Sequence, residues 1–288
     1  MRRLIINADD FGLTSGVNRA IVEAARSGGV TSATIMANGP HFQEAANAAK
    51  DLPSLKTGCH VVLIDGQALA TGLPSLTDAT GRFRDSLKGF LEAAVRKRLS
   101  EEEIQREAEA QIRKIQGQGI RLTHVDSHKH THMFPQVLRP VLRASRACGI
   151  GAVRNPFEPA RSWPSGVMLR TPGLWVRSVG VLTFGLFARV FHEAIRDEGM
   201  LTTDGTIGIA ATGMLDQKLL LAILSSLPDG TWELVCHPGY ADAELIQSGT
   251  RLVRSREVEL AALTSKETKR LLEARGIELI SYADLKQY

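Results

Sequence analysis

Short apolar runs alternate with helix-period segments along almost the whole chain, and this alternation restricts the fold more than any other feature. Leu4-Ile5-Ile6, Thr34-Ile35-Met36, Gly58 to Ile64, Leu122 to Val125, Ala152–Arg154, Ile207–Ile209, Trp232–Cys236 and Ile277–Ile280 read as strands. After the first run, Thr14-Ser15 offers a helix N-cap. Val17, Ala20, Ile21, Ala24 and Ala25 then recur at helical spacing until Gly28-Gly29 stops the helix. Ser100 with Glu103 has the capping-box pattern, and Ile104, Ala108, Ile112 and Ile115 behind it form one apolar face. Glu102–Arg106 and Glu109–Arg113 are i,i+4 pairs on the opposite side. Further helices are expected at 42–50, from Pro135 to Cys148, and at 173–197, 215–227 and 253–275. Strand–helix alternation of this kind builds right-handed βαβ units on a mostly parallel sheet. About eight strand-like runs suit a distorted or incomplete (β/α) barrel of TIM type, with a doubly wound open sheet as the runner-up. One domain over 1–288 is expected.

Composition excludes several function classes. Hydrophobic residues make up 43% and charged residues 23%, as in ordinary globular chains. A net charge of +4 with only 5% aromatics gives neither a basic footprint nor a stacking platform, so nucleic acid is not the expected partner. Cys59, Cys148 and Cys236 are odd in number and widely spaced, which favours a reducing compartment. The apolar run after Arg2-Arg3 stops at Asp9-Asp10, too early for a signal peptide. A cytoplasmic, uncleaved chain is the expectation.

In a βα fold, functional residues collect just after strand C-termini. Asn7-Ala8-Asp9-Asp10-Phe11-Gly12, Gly58-Cys59-His60, Asp126-Ser127-His128-Lys129-His130-Thr131-His132 and Cys236-His237-Pro238-Gly239 all fall there. They hold five of the eight histidines. Carboxylates and imidazoles are costly to bury unless paired or metal-bound. Asp9-Asp10 could cap a helix, but Thr14-Ser15 already does so. Adjacent carboxylates repel unless a cation separates their roles, so one could bind metal while the other takes a proton. His128, His130 and His132 lie at period two and would share one face if the strand continued. Such a set suits zinc or a similar ion, although a His-rich polar loop needs none. Neighbours on a strand point to opposite faces, so Cys59 and Cys236 read as core filler behind His60 and His237.

At these positions the chain resembles the YdjC-like carbohydrate deacetylase family, which includes chito-oligosaccharide deacetylases. Asn7-Ala8-Asp9-Asp10-Phe11-Gly12, Gly16-Val17-Asn18, Thr31-Ser32-Ala33-Thr34, Gly58-Cys59-His60, Asp126-Ser127-His128 and Cys236-His237-Pro238-Gly239 carry the likeness in the family's order. Met36-Ala37-Asn38-Gly39-Pro40 and Asp126 to His130 also resemble its hopanoid-biosynthesis branch. The resemblance implies a distorted (β/α) barrel and a divalent cation, with Zn, Mg, Mn, Co or Ni all open. It implies Asp10, His60 and His128 as metal ligands, Asp9 as catalytic base and His237 as general acid. Lys129 stands where the family often has His, and Val61-Val62 follow His60 where it often has Asn or Leu.

The function expected from this is hydrolysis of an N-acetyl group on an amino sugar, releasing acetate. His130 and His132 would bind substrate or orient a ligand, and Arg154 would pair with Asp9 or form a surface salt bridge. A metal-dependent phosphoesterase and a sugar-binding protein with a structural metal are the rival readings. Thr171 to Ala188 is apolar apart from Arg177. It reads as a buried barrel helix or, within 165–200, as an apolar flap or interfacial helix suited to a lipid-linked sugar. Expected partners are therefore an N-acetylated sugar or glycolipid, with peripheral contact at the inner membrane surface and a homodimer as further candidates.

Overall fold

The computed structural model describes residues 1–84, 87–159 and 185–286. Among the described residues, seven parallel strands form one sheet: β1 (Arg2–Phe11), β2 (Ser32–Ile35), β3 (Lys56–Val61), β4 (Leu122–Ser127), β5 (Gly205–Ile207), β6 (Gly230–Cys236) and β7 (Ile277–Ile280). Their order is β4-β3-β2-β1-β6-β5, with β7 also on β1. A strand has two edges, so β1 must share one between two partners. Arg2 to Ile5 pair with β7 and Asn7 to Phe11 with β2, while β6 runs along the other edge. Beyond β4, single bridges link Val125 to Val153 and Ala152 to Leu201, and Thr206 N donates to Phe157 O at 3.1 Å. The sheet thus curls into a distorted, incomplete (β/α) barrel. The strand expected at Ala152–Arg154 is reduced to these bridges. The one expected at Ile207–Ile209 ends at Ile207, because Gly208 turns to φ +101°.

Period-two alternation on β1 sorts the two faces. Leu4, Ile6 and Ala8 belong to the large core between sheet and helices. Ile5 packs with Ala152, Ile280 and Tyr282 inside the barrel, on the face that continues through Asn7 to Asp9. Cys59 and Cys236 lie in the outer core, as expected of residues behind the two histidines.

Helices α1 (Ser15–Arg26) and α2 (Phe42–Asp51) follow the predicted spacing, with the Thr14 hydroxyl capping α1 at Val17 N. After α3 (Leu87–Val95), α4 (Glu101–Gln116) is capped by Ser100, but the capping box is only half made. Glu103 reaches not back to Ser100 but across to Ser75 N and Oγ, at 2.9 and 2.8 Å. Arg106 likewise leaves Glu102 for the carbonyls of Thr71 and Gly72, whereas Arg113–Glu109 is a real pair at 3.8 Å. Then come α5 (Pro135–Ala147), α6 (Ala188–Asp197), α7 (Gln217–Ser226), α8 (Ala243–Gln247), α9 (Arg254–Thr264) and α10 (Lys266–Ala274). The single helix expected over 253–275 breaks at Ser265, whose extended backbone (ψ 147°) lets its hydroxyl cap α10 at Thr268 N. Of the helix expected at 173–197, only the part from residue 185 is described, a 3-10 turn at Gly185–Phe187 leading into α6, and most of the apolar stretch 171–188 lies outside the described residues. Among the described residues no helix is long and apolar enough to cross a membrane.

Candidate metal and catalytic site

A bulge in β1 brings two adjacent carboxylates to one place. Between the pairs Ala8–Ala33 and Phe11–Ile35, β1 spends one residue more than β2. Asp10 absorbs it with a left-handed backbone, φ +66°. On a regular strand Asp9 and Asp10 would point to opposite faces. The bulge turns both towards the mouth of the barrel, at a conformational cost of about 1–3 kcal/mol.

His60 and Asp126 are direct cross-strand partners in the β3–β4 register. That register sets His60 Nδ1 against Asp126 Oδ1 at 2.7 Å, and the Thr34 hydroxyl donates to Asp126 Oδ2 at 3.1 Å. With Nδ1 committed to a carboxylate, Nε2 is the nitrogen that faces Asp10 and that a cation would take in place of a proton. His60 Nε2 lies 3.6 Å from Asp10 Oδ1 and 3.3 Å from His128 Nδ1, and His128 Nδ1 lies 3.3 Å from Asp10 Oδ1. Donors bound at about 2.0–2.1 Å around one tetrahedral cation stand about 3.3–3.4 Å apart. One carboxylate and two imidazoles at this spacing fit a divalent cation, and three protein donors are the pattern of a site with an open position. Asp10 Oδ2 accepts from Arg256 Nη2 at 2.6 Å. Burial alone would raise the pKa of Asp10, but Arg256 and then His128 hold it well below the carboxylate range. Gly239 makes room for Arg256, since a Cβ there would stand 2.8 Å from Arg256 Cδ.

Behind this triangle lies a buried ionic cluster. Arg154 makes four hydrogen bonds to the carboxylates of Asp9 and Glu233 and an ion pair with Asp126. Nη1 meets Asp9 Oδ2 at 2.8 Å and Asp126 Oδ2 at 2.7 Å, Nη2 meets Asp9 Oδ1 at 2.7 Å and Glu233 Oε1 at 2.6 Å, and Nε meets Glu233 Oε1 at 2.9 Å. Arg154 is fully buried, so its pairing with Asp9 is no surface salt bridge. Burial would raise the pKa of Asp9, but Arg154 outweighs it and keeps the carboxyl ionised far below its usual range. Burial likewise favours neutral His60, yet Asp126, Asp9 and Asp10 together push it up to about 9. Glu233 also accepts from the Tyr282 hydroxyl.

The three histidines expected on one face are separated. β4 ends at Ser127, and a 3-10 turn follows from His128 to Met133, with Lys129 and His130 left-handed at φ 55° and 52°. Those two positive angles end the period-two alternation. Only His128 joins Asp10 and His60. His132 turns inward, with Nδ1 2.6 Å from Ser127 Oγ and Nε2 3.2 Å from the Arg154 carbonyl, and burial holds it neutral, near pKa 3. It therefore braces the segment that carries Arg154. Burial also keeps His130 neutral.

His237 follows β6. Its Nε2 is 4.0 Å from Asp9 Oδ2 and its Nδ1 4.0 Å from Glu259 Oε2, which also accepts from its backbone N–H at 2.6 Å. Burial lowers His237 to about 4 and raises Glu259 to about 7. Arg256 and Glu259, both on α9, were not legible as site residues, because an Arg and a Glu three apart on a helix read as an ordinary solvated pair. Glu233 and Tyr282 gave no local signal either. Asp126 could have been found, since period two puts it on the face of His128.

The model of the YdjC-like protein family matches residues 3–274. A carbohydrate deacetylase of Brevibacillus brevis is 35% identical over 283 residues, covering 98% of this chain and 99% of the relative. One of Geobacillus stearothermophilus is 34% identical over 284 residues, covering 98% of each. Among solved structures, an Enterococcus faecalis protein described as a putative cellobiose-phosphate cleavage protein overlays with a TM-score of 0.77 at 27% identity, covering 99% of both chains. The lactam utilization protein of Thermus thermophilus, at 17% identity and a TM-score of 0.52 over 97% of this chain and 99% of its own, shares the fold. With its bulged carboxylate pair, its histidines at successive strand ends and a family match over nearly its whole length, the chain belongs to the YdjC-like family.

Proposed function

We propose that the chain is a divalent-metal-dependent hydrolase that removes the acetyl group from an N-acetylated amino sugar, free or lipid-linked. Membership of a family whose curated relatives are named carbohydrate deacetylases supports hydrolytic deacetylation. The observation that carries the metal is the convergence of Asp10 Oδ1, His60 Nε2 and His128 Nδ1 within 3.6 Å of one another. Asp10, His60 and His128 would hold the cation. Bound there, it would polarise the acetyl carbonyl and acidify water.

The chain's own residues supply the rest. Asp9, anionic and clamped by the two Nη nitrogens of Arg154, takes the proton from the attacking water. The water oxygen bonds to the acetyl carbon, the C–N bond breaks, and acetate and the free amine leave. His237 gives the leaving nitrogen its proton. Burial leaves His237 neutral at rest, so the proton that Asp9 takes from water passes to His237 during turnover, over a 4.0 Å gap that one bridging water would span. His130 would contact substrate at the rim, while His132 and Arg154 hold the base in place. The Arg154 guanidinium is engaged by Asp9, Glu233 and Asp126, which disfavours a phosphoesterase, in which a guanidinium would face the phosphate.

The deciding experiment measures acetate release from N-acetylated mono- and oligosaccharides and an N-acetylated glycolipid, after chelation and after addition of each cation. Release that requires a cation supports the reading. Full activity after exhaustive chelation, or phosphate release from phosphoesters without acetate release, overturns it.

A further inference from the structure

Asp65 is a carboxylate at the rim of the site that the mechanism above does not use. It sits on the loop that follows β3, with a left-handed backbone at φ 67°. Asp10, Lys129 and His130 share that conformation, so among the described residues four of the five positive-φ positions other than glycine gather around one point. Such strain persists only where the surroundings enforce it.

Here α4 enforces it. The Gln111 side chain takes both Val62 N and Val62 O, at 2.8 and 2.7 Å. Glu107 accepts from Leu69 N and Ala70 N at 3.0 and 2.8 Å, and Glu103 accepts from Ser75. The loop is stapled on both sides of Asp65, and its tip is fixed over His128.

Asp65 Oδ2 lies 3.8 Å from His128 Nε2 and is bonded to the Lys129 ammonium. His128 Nδ1 faces Asp10 on the opposite side of the ring. His60 has a tighter version of this arrangement with its nitrogens exchanged: Nδ1 is hydrogen-bonded to Asp126 at 2.7 Å and Nε2 points towards Asp10, whereas Asp65 stands at 3.8 Å from His128, beyond hydrogen-bond length. An imidazole ligand whose far nitrogen faces a carboxylate is held in one tautomer and made a stronger donor.

We propose that Asp65 is the positioning residue of His128, as Asp126 is of His60, and that Lys129 competes for the same oxygen and so tunes how firmly the site holds its cation. The inference rests on the reading of Asp10, His60 and His128 as metal ligands. It makes the grip of the site depend on an exposed ion pair, which a substrate seated at the rim could open.

The test is titration of the metal-free protein with Co2+, following the visible absorption of bound cobalt, at low salt and again in high salt. Asp65→Asn is expected to weaken cobalt binding by about tenfold and to alter the spectrum of the bound ion, because outer partners of ligating histidines contribute about 10–100-fold in affinity. Lys129→Gln is expected to tighten binding. High salt screens a charge acting through solvent but leaves an effect exerted by ring orientation. Weakening in Asp65→Asn that persists in high salt supports the proposal. Unchanged affinity, or weakening that high salt abolishes, overturns it while leaving the metal reading intact. Wild-type protein that binds no cobalt overturns the metal reading and this inference with it.

Discussion

Two histidine–carboxylate pairs flank the same position and differ mainly in their solvent. His60 and Asp126 are sealed inside the barrel, with side chains 2% and 0% exposed, and their contact is written into the register of β3 and β4. His128 and Asp65 sit at the rim, 20% and 42% exposed, on a 3-10 turn and a loop whose geometry comes from α4. Inside, a pair must be complete, because an unmatched buried charge is severely penalised. At the rim, water offers an alternative partner, so the contact can be longer, shared with Lys129 and open to adjustment. The molecule thus fixes one ligand and leaves the other adjustable.

The sharpest way to break the comparison is at the base. Asp9→Asn keeps the shape of the buried cluster but removes the proton acceptor. Turnover should fall by about 10²–10⁴ with cobalt still bound, measured by acetate release and metal titration in parallel. Next comes the counterion. Arg154→Met leaves Asp9, Asp126 and Glu233 buried without their shared cation, and should cost about 3–5 kcal/mol in chemical denaturation. Arg154→Lys should restore little, because a single ammonium cannot reach three carboxylates as the planar fork does.

The pH dependence of metal uptake sharpens the same contrast. His60 in the metal-free protein is raised from 6.5 to about 9 by its three carboxylates, despite burial. Its proton therefore stabilises the metal-free fold fully below pH 6.5, and that contribution is lost as pH rises through about 9. Asp9 and Asp10, both depressed, add stability above their unfolded values near 3.8 and stay ionised throughout this range. A cation must displace the His60 proton, so binding at pH 7 should release about one proton and strengthen about tenfold per pH unit up to about pH 9. Calorimetry in buffers of different ionisation enthalpy reads that proton count; no proton release would contradict the inner pair as described. The smallest effect belongs to the rim. Lys129→Gln should change global stability by less than about 1 kcal/mol in the same denaturation assay, since the pair it breaks is largely solvated.

The sequence by itself determined the layered architecture and the location of the chemistry. Apolar runs at strand length, caps such as Thr14 and stops such as Gly28-Gly29 act over a few residues, so they are legible one segment at a time. Carboxylates and histidines at strand ends are legible for the same reason, since a βα fold has one place to put them. Tertiary structure alone decided which of them meet. The bulge that turns Asp10 beside Asp9, the left-handed turn that parts His128 from His130 and His132, and the arrival of Arg154, Glu233, Arg256 and Glu259 depend on strand register and helix docking. These contacts join residues up to 246 positions apart, between Asp10 and Arg256. Local preference cannot specify such contacts, because their energy exists only once the barrel has excluded water from between the charges.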